Sequence, residues 1–514
     1  MTAIPLEQVT YPESPAQRAD LTLVTSQFAE TIPEEGAESR ALFDTYFDLR
    51  DQAIAAPKVG GEELLDIQAA AATYALEAGW FDLPDALDKR VDAYTNFDSR
   101  AAYYRIADFV SYLERNFSDS INPVELEATR AFLDSTYAMY HDKPENGEVM
   151  ADADGSFAFV VPARMGRGHP DYGQEVEPAI PALRYLPNEL RAAMMMGLPP
   201  FVIDIYEQNG KRGYLMLASV FEDMKEDLGG NGELLRAARQ NVNAAVDFAY
   251  RRFGVTVAGL GATLPALTQF GTKITNPNVI TTTGHAGTVS LINATVEIAT
   301  QGQELTTIGV LGLGSIGEAI ARNVRHQHPN AKILAYEKNQ VRAKKVLEAN
   351  PALTAAESEK RVLEESQITI SAITEQLDLD AMGVTKVGGN VVEDSQPGSI
   401  RPDQLKQFGR DLFWVIGNDP EGKTLRRRGY DYGTMVNPNS DVFGCEAEAA
   451  SLARYRDELI ERGTSDRVVA RIMSKVALRG PVTMQHVRYV DALFNKYGIM
   501  PAAPQAFGKL VHID

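Results

Sequence analysis

Between residues 305 and 435 short unbroken apolar runs alternate with amphipathic ones, and no other feature of the chain limits its fold so tightly. TTIGVLGLG, AKILAYE and QITISAI read as strands, and SIGEAIARNVRHQ and NQVRAKKVLEAN between them as helices. GNVVEDS and LFWVIG read as two later strands. Strands that are apolar on both faces must be covered on both faces. With helices between them, they are expected to lie side by side in an α/β fold, a Rossmann-type doubly wound parallel sheet.

The first of these strands runs into Gly312-Leu313-Gly314-Ser315-Ile316-Gly317, and a helix opens on it. A GxGxxG is a weak signal alone and a stronger one at a strand–helix junction. Gly312 is expected to make the tight turn, Gly314 to admit a pyrophosphate to the backbone, and Gly317 to let the helix pack on the strand. Leu313, Ser315 and Ile316 complete the loop, and free N–H groups at the helix start face the phosphates. The next strand ends at Glu337, 25 residues after Gly312. A carboxylate there accepts from a ribose 2′-OH and repels a 2′-phosphate. The expected cofactor is therefore NADH or NADPH, with NAD favoured by Glu337. Lys338 and Arg342 beside it weaken that preference. Thr374, just past QITISAI, is expected to line the same site.

Outside this segment the chain divides by pattern. Residues 1–150 open on a Pro- and Glu-rich lead-in and continue in helical periods such as ALFDTYFDLRDQAI and AYYRIADFVSYLERNF. They read as an N-terminal all-helical domain carrying no visible chemistry. Residues 151–300 read as an α/β substrate domain, in which FVIDIYEQ and KRGYLMLASV flank Asn209-Gly210, a dipeptide suited to a hairpin turn. A long helix at about 232–252 and the strand GVTVAGLG follow. Residues 301–435 are the dinucleotide-binding domain. Residues 436–514 read as C-terminal helices that carry the cysteine and are expected to pack back on the substrate domain.

Composition narrows the function classes. The net charge is −20, and residues 1–150 hold 28 acidic against 11 basic side chains. Nucleic acid and anionic membrane surfaces need clustered Lys and Arg, so neither is an expected partner. A solvated acidic face that helps solubility is the readier reading of the helical domain, with a protein partner for it as the alternative. No run reaches the roughly 18 apolar residues of a membrane span, and the first residues lack a secretory pattern. A soluble, cytoplasmic chain without integral membrane contact is expected. One cysteine excludes an internal disulfide and any multi-cysteine metal site, and no metal is expected.

That cysteine is Cys445, in Asn439-Ser440-Asp441-Val442-Phe443-Gly444-Cys445-Glu446-Ala447-Glu448-Ala449. Ser440 or Asp441 is positioned to cap a helix, which would set Cys445 near its N-terminus, where the dipole lowers a thiol pKa. Glu446 and Glu448 act in the opposite sense. By physics alone a buried, inert cysteine is the better reading.

Several landmarks from about 200 to 510 occur in an order that resembles the long-chain acyl-(acyl-carrier-protein) reductases of cyanobacteria. They are the hairpin before the long helix, Gly254-Val255-Thr256-Val257 through Gly259-Leu260-Gly261, and Thr282-Thr283-Gly284 with Thr288. Then come Phe443, Cys445, Ala447, Glu448 and Ala449, and lastly Tyr497-Gly498 with Pro501. The resemblance implies that Cys445 takes the acyl group from acyl-CoA or an acyl-carrier protein and that a nicotinamide reduces it to an aldehyde. It implies oxyanion donors around Thr282–His285, with His285 protonating the departing thiolate. The chain departs from the family in its GxGxxG loop, in Glu337 where the family tends to carry Arg, and in having His285 and Gly287 where Asn and His are usual.

Two weaker features have bland readings beside functional ones. Met194-Met195-Met196 suits an acyl channel or a helix core. Arg426-Arg427-Arg428 suits phosphates, an acidic carrier or plain solvent. The rival to the thioester reading is a cysteine-independent dehydrogenase of an amino or hydroxy acid. A dinucleotide-binding regulatory protein is a third.

Overall fold

The computed structural model describes residues 36–78, 100–141, 149–150, 153–163, 179–187, 190–191, 194, 198–208, 210–221, 232–373, 375–395, 398–424 and 435–512. They fall into two compact units. One is Met1–Glu145 with Ala163–Pro199 and Ser219–Asn241; the other is Asn146–Pro162, Pro200–Ala218 and Val242–Asp514. Segments from the middle of the chain are thus shared between them.

The first unit contains helices α1 (Gly36–Ala55), α2 (Gly61–Glu77), α3 (Arg100–Phe117) and α4 (Pro123–His141). Helix α4 starts where proline's fixed φ suits a first turn, and the Asn122 side chain accepts the Val124 N–H at 3.1 Å. The apolar stripe puts Tyr46 and Phe47 of α1 among the fully buried residues, with Phe109 of α3 and Phe132 of α4. Among the described residues of this unit one ion pair is buried on both sides. Arg184 meets Glu125 at 3.0 Å and donates to the Val59 carbonyl at 2.7 Å, while the Tyr185 hydroxyl also donates to Glu125. A buried charge is tolerated there because an opposite charge and further hydrogen bonds offset its loss of water.

The second unit holds two six-stranded sheets. The first is built from β1 (Gly155–Ala163), β2 (Phe201–Gln208), β3 (Lys211–Phe221), β4 (Val257–Leu260) and β5 (Ile280–Thr282). Strands β2 and β3 form an antiparallel hairpin closed at Gln208↔Lys211. Gly210 has φ 72°, as a tight turn requires, while Asn209 lies outside the described residues. Strands β1, β4 and β5 are parallel, with Phe157↔Val257 and Val257↔Ile280 in register. Helix α5 (Gly232–Phe253) leads into β4.

Helix α6 (His285–Ala299) leads out of β5 and into the second sheet. That sheet comprises β6 (Thr307–Leu311), β7 (Lys332–Tyr336), β8 (Leu353–Ala355), β9 (Ile368–Ser371), β10 (Asn390–Glu393) and β11 (Leu412–Trp414). Its order is β11-β10-β9-β6-β7-β8, every neighbour pair parallel. Read from the edge this is 3-2-1-4-5-6, the Rossmann order. Ile308, Val310, Ile333, Ile368, Ile370 and Val391 are wholly buried, the result of covering both faces with helices. Helices α7 (Ser315–Gln327), α8 (Gln340–Ala349) and α9 (Glu359–Glu365) supply cover. Strand β12 (Gly417–Asn418) follows, and β13 (Lys423–Thr424) returns to pair with β2 of the first sheet.

Residues 436–514 hold α10 (Gly444–Glu461), α11 (Asp466–Val476) and α12 (Met484–Tyr497), but not helices alone. Short strands lie at Asp441–Val442, Met500–Pro501, Gln505–Ala506 and Lys509–Leu510, pieces too short to show a period in the sequence. Helix α10 packs on β4 and α6, so it belongs to the first sheet's layer. Helix α6 also packs on α7 and β10, which makes it common to both sheets. Its small residues on every face (HAGTVSLINATVEIA) let it be buried nearly all round. Among the described residues no helix is long and apolar enough to cross a membrane.

Candidate active site

The glycine loop has the geometry that dinucleotide binding requires. Gly312 lies at φ 84°, and a Cβ there would sit 2.8 Å from the Ala372 carbonyl oxygen. A Cβ on Gly317 would run into the Gly312 carbonyl, so helix and turn pack backbone to backbone. Gly314 is the exception. A Cβ there would meet nothing within 4 Å, which leaves open space over the backbone at the head of α7. Ser315 and Ile316 form the first turn, whose N–H groups have no partner within the helix, and Leu313 is buried beneath. A pyrophosphate fits this cradle in shape and in donors.

Glu337 is nearly buried at the end of β7, accepting from the Leu313 and Asn339 N–H groups at 2.9 Å each. The carboxylate thereby ties strand to glycine loop. Arg342 approaches it at 3.5 Å and offers a nearby positive charge. Lys338 points to solvent and pairs with Glu375 at 2.7 Å, which raises its pKa. Thr374 lies outside the described residues, as do Arg426-Arg427-Arg428, Met195 and Met196. Met194 is wholly buried.

Cys445 is the second residue of α10 and is half-buried. The cap differs from the sequence expectation. Phe443 is the N-cap, and Glu446 reaches back to accept its N–H at 3.3 Å. Asp441 instead pairs in a short strand and accepts from Asn437 N–H at 3.0 Å, and Ser440 bonds Asn418. A turn sharp enough to start α10 on Gly444 leaves those two residues outside it.

The tight fit of α10 on α6 explains a set of glycines. A Cβ on Gly284 would lie 2.5 Å from Cys445 Cα, and one on Gly444 would lie 2.7 Å from Thr288 Cα. Gly287 would strike the Gly444 carbonyl in the same way. The first turns of both helices therefore cross at Cys445. Glu448, buried on α10, accepts from the Gly287 N–H at 2.7 Å and from the Thr282 hydroxyl. It caps the N-terminus of α6, which has no capping side chain of its own.

The thiol is in a mixed field. Backbone N–H groups of Cys445 and Glu446 favour the thiolate. Desolvation and then the Asp394 carboxylate outweigh them and push the pKa up to about 12. Asp394 follows the last residue of β10, its N–H bonded to the Ser371 carbonyl at 3.1 Å. It thus stands at the carboxyl ends of β9 and β10, next to the Ala372 that walls the glycine loop. Desolvation lifts Asp394 to about 7. Its neighbour Glu393 is lifted to about 8, though it accepts from the Ser399 N–H at 2.9 Å. Sequence reading missed Asp394, because an acid after a strand is common and its approach to the thiol depends on tertiary contact.

His285 is the first residue of α6, buried, with its ring edge-on to Phe270. Burial lowers its pKa to about 4, so it is a neutral imidazole near pH 7. No hydrogen bond joins it to Cys445 among the described residues, and its Nδ1 has no partner there. Of the donors around it, the Thr283 N–H is committed to the Leu478 carbonyl and the Gly284 N–H to Thr282 Oγ1. The Thr283 hydroxyl is buried without a partner. Two consecutive non-glycine residues, Gln269 and Phe270, adopt φ 51° and 56° in the adjoining loop. Among the described residues no group of His, Cys, Asp and Glu could hold a metal ion.

The glycine cradle, the carboxylate at the second strand and the 3-2-1-4-5-6 sheet define an NAD-binding oxidoreductase fold of the dehydrogenase type. Residues 307–401 match the NAD binding domain of 6-phosphogluconate dehydrogenase. No curated protein sequence matches the chain. Among solved structures, the chain is similar to shikimate dehydrogenase from Aquifex aeolicus, at 14% identity over 63% of this chain and 100% of that one, with a TM-score of 0.31. It is similar to L-tryptophan dehydrogenase from Nostoc punctiforme at 13% identity, over 67% and 82% of the two chains, with a TM-score of 0.28. It is similar to the A chain of dipicolinate synthase from Bacillus subtilis at 16%, over 34% and 59%, with a TM-score of 0.24. The chain spans about three-fifths of the length of the dipicolinate synthase subunits it matches.

Proposed function

We propose that the protein is a reductase of acyl thioesters, using NADH or NADPH and releasing an aldehyde, with Cys445 as its nucleophile. One observation carries the reading. A lone thiol at a helix N-terminus feels the charge of Asp394, the residue after β10, at the carboxyl end of the sheet whose glycine loop suits a dinucleotide. The resemblance of residues 200–510 to acyl-(acyl-carrier-protein) reductases supports it.

The chemistry follows from the surroundings of the thiol. Because the thiol holds its proton at neutral pH, attack needs an acceptor, and Asp394, with a pKa of about 7, is suited to the task. Asp394 takes the proton as Cys445 Sγ bonds to the thioester carbonyl carbon, and returns it to the sulfur of the leaving CoA or carrier. The unpaired Thr283 hydroxyl is the side-chain donor left for the oxyanion. When bound, a reduced nicotinamide would supply a hydride to the thioacyl carbon, whose oxygen then carries the negative charge. As that oxyanion re-forms a carbonyl the C–S bond breaks, the aldehyde is released, and the Cys445 thiolate takes a proton from solvent.

The test is covalent trapping. Incubation with acyl-CoA and no dinucleotide should add one acyl mass to the wild-type chain and none to Cys445→Ala. That variant should lose about a thousandfold or more in turnover. A second reading is a cysteine-independent dehydrogenase of an amino or hydroxy acid. It is supported by the match of residues 307–401 and by a thiol so reluctant to ionise. Full turnover by Cys445→Ala would decide for it.

A further inference from the structure

Helix α11 carries its charges unlike the other surface helices of its unit. On other helices several cations are paired one turn apart: Arg251 with Asp247, Lys344 with Glu348, Lys360 with Glu364, Arg361 with Glu365 and Arg462 with Glu458. On α11, Arg467, Arg471 and Lys475 recur every fourth residue on one exposed face, and Arg479 is exposed just past the end of the helix. None of the four is in an ion pair among the described residues. Between Asp466 and Asp491 the chain has no carboxylate at all, and a fifth cation, Arg488, is exposed beyond Arg479. Like charges at this spacing cost a few tenths of a kcal/mol per pair, so the row is maintained against local stability. In a chain of net charge −20 it is a local reversal of sign.

The row also leads somewhere. Val469 and Met473 anchor α11 on its buried side, while Val468, 45% exposed, adds an apolar spot beside the cations. At the far end, the Leu478 carbonyl accepts the Thr283 N–H at 3.2 Å, and Arg479 donates to the Val279 carbonyl at 3.4 Å. Thr283 precedes Gly284, the residue against which Cys445 is seated. A body lying along α11 therefore ends at the rim of the thiol site.

We propose that α11 is the docking surface for a small acidic protein that carries the acyl group as its thioester, the cation row meeting a helix of carboxylates. The proposal rests on the thioester reading and names the donor. From Arg467 to Lys475 the row spans about 12 Å of helix, a length one small-protein helix can match. The exposed apolar area is too small for insertion into a lipid surface. Charge complementarity of this kind acts mainly on encounter and orientation.

The test compares two donors on the full chain and on the triple variant Arg467→Glu, Arg471→Glu, Lys475→Glu. These side chains are exposed and outside the catalytic site, so the variant should fold. With hexadecanoyl groups on an acidic acyl carrier protein, kcat/KM should fall about tenfold or more and lose most of its salt dependence. With the same acyl group on pantetheine, kcat/KM should not change. Equal loss with both donors, or none with the carrier, overturns the proposal. Fluorescence anisotropy with the unacylated carrier protein reads docking without catalysis. Binding that the triple variant abolishes supports the surface even if no thioester is ever reduced, so the two readings fail separately. Binding of labelled DNA or phosphatidylserine vesicles in place of the carrier protein, abolished by the same variant, overturns it.

Discussion

The second unit makes the same turn twice. At Gly312 and again at Gly284, a parallel strand ends in a glycine of positive φ, 84° in one case and 69° in the other, and a helix begins. Beyond the first turn, Gly314 faces open space; against the second, Gly284 faces the backbone of Cys445. One junction spends its missing side chain on room for a ligand, the other on bringing a second helix within contact of the first. The same local grammar serves a binding site and a packing site. What differs is what the rest of the chain brings up to it.

Alanine at the two positions should separate these uses most sharply. Gly284→Ala combines left-handed strain with a clash against α10, and a loss of about 3 kcal/mol or more is expected in urea unfolding. Gly314→Ala should leave the unfolding midpoint nearly unchanged and weaken dinucleotide binding instead. If Gly284→Ala unfolds like the wild type, the packing role assigned to that junction is wrong.

Asp394→Asn should come next, with turnover on acyl thioesters down about a hundredfold. In the wild type the rate should rise as pH passes about 7, where Asp394 becomes able to accept a proton. A variant that keeps this rise would remove Asp394 from the mechanism.

At the nucleotide junction, Glu337→Arg should shift the ratio of NADPH to NADH affinity upward by about tenfold, through loss of repulsion and gain of a phosphate partner. It should also loosen the loop, since Glu337 holds the Leu313 N–H. A strong preference of the wild type for NADPH, measured by titration, would contradict the role given to Glu337.

The smallest effect concerns the packing junction. Glu448 titrates at about 7 in the folded chain, above its ordinary 4.5, so the folded state holds its proton more tightly. Its contribution to stability is complete below pH 4.5 and is lost as pH rises through 7. Glu448→Gln should therefore flatten the fall of melting temperature over that window. His285 runs the other way: its pKa is lowered from 6.5 to about 4, so its contribution is lost as pH falls between those values. An unchanged slope in Glu448→Gln would indicate that Glu448 stays ionised in the fold.

Much of the nucleotide sheet was legible because its signals are local. Apolar strands, the Gly312–Gly317 loop and Glu337 lie within about thirty residues of one another, and each has a period or spacing of its own. Strand β8 escaped notice, being three residues long at the sheet edge, too short to show a period. In the cysteine site the residue itself was visible while its setting was not. Phe443 as cap and Asp394 as neighbour arise from contacts between distant segments. His285 was expected to give up a proton, and only its burial against Phe270 reveals it as a neutral ring.

The sequence alone determined that residues 305–435 would wind into a parallel sheet with a dinucleotide loop, because patterning and turn chemistry act over a few residues. Tertiary structure alone decided that α10 would cross α6 at Gly284, that Glu448 would cap another helix, and that the charge of Asp394, just past β10, would act on the thiol. Those outcomes depend on the close approach of backbones far apart in the chain, and on the desolvation that follows, neither of which leaves a local mark in the order of residues.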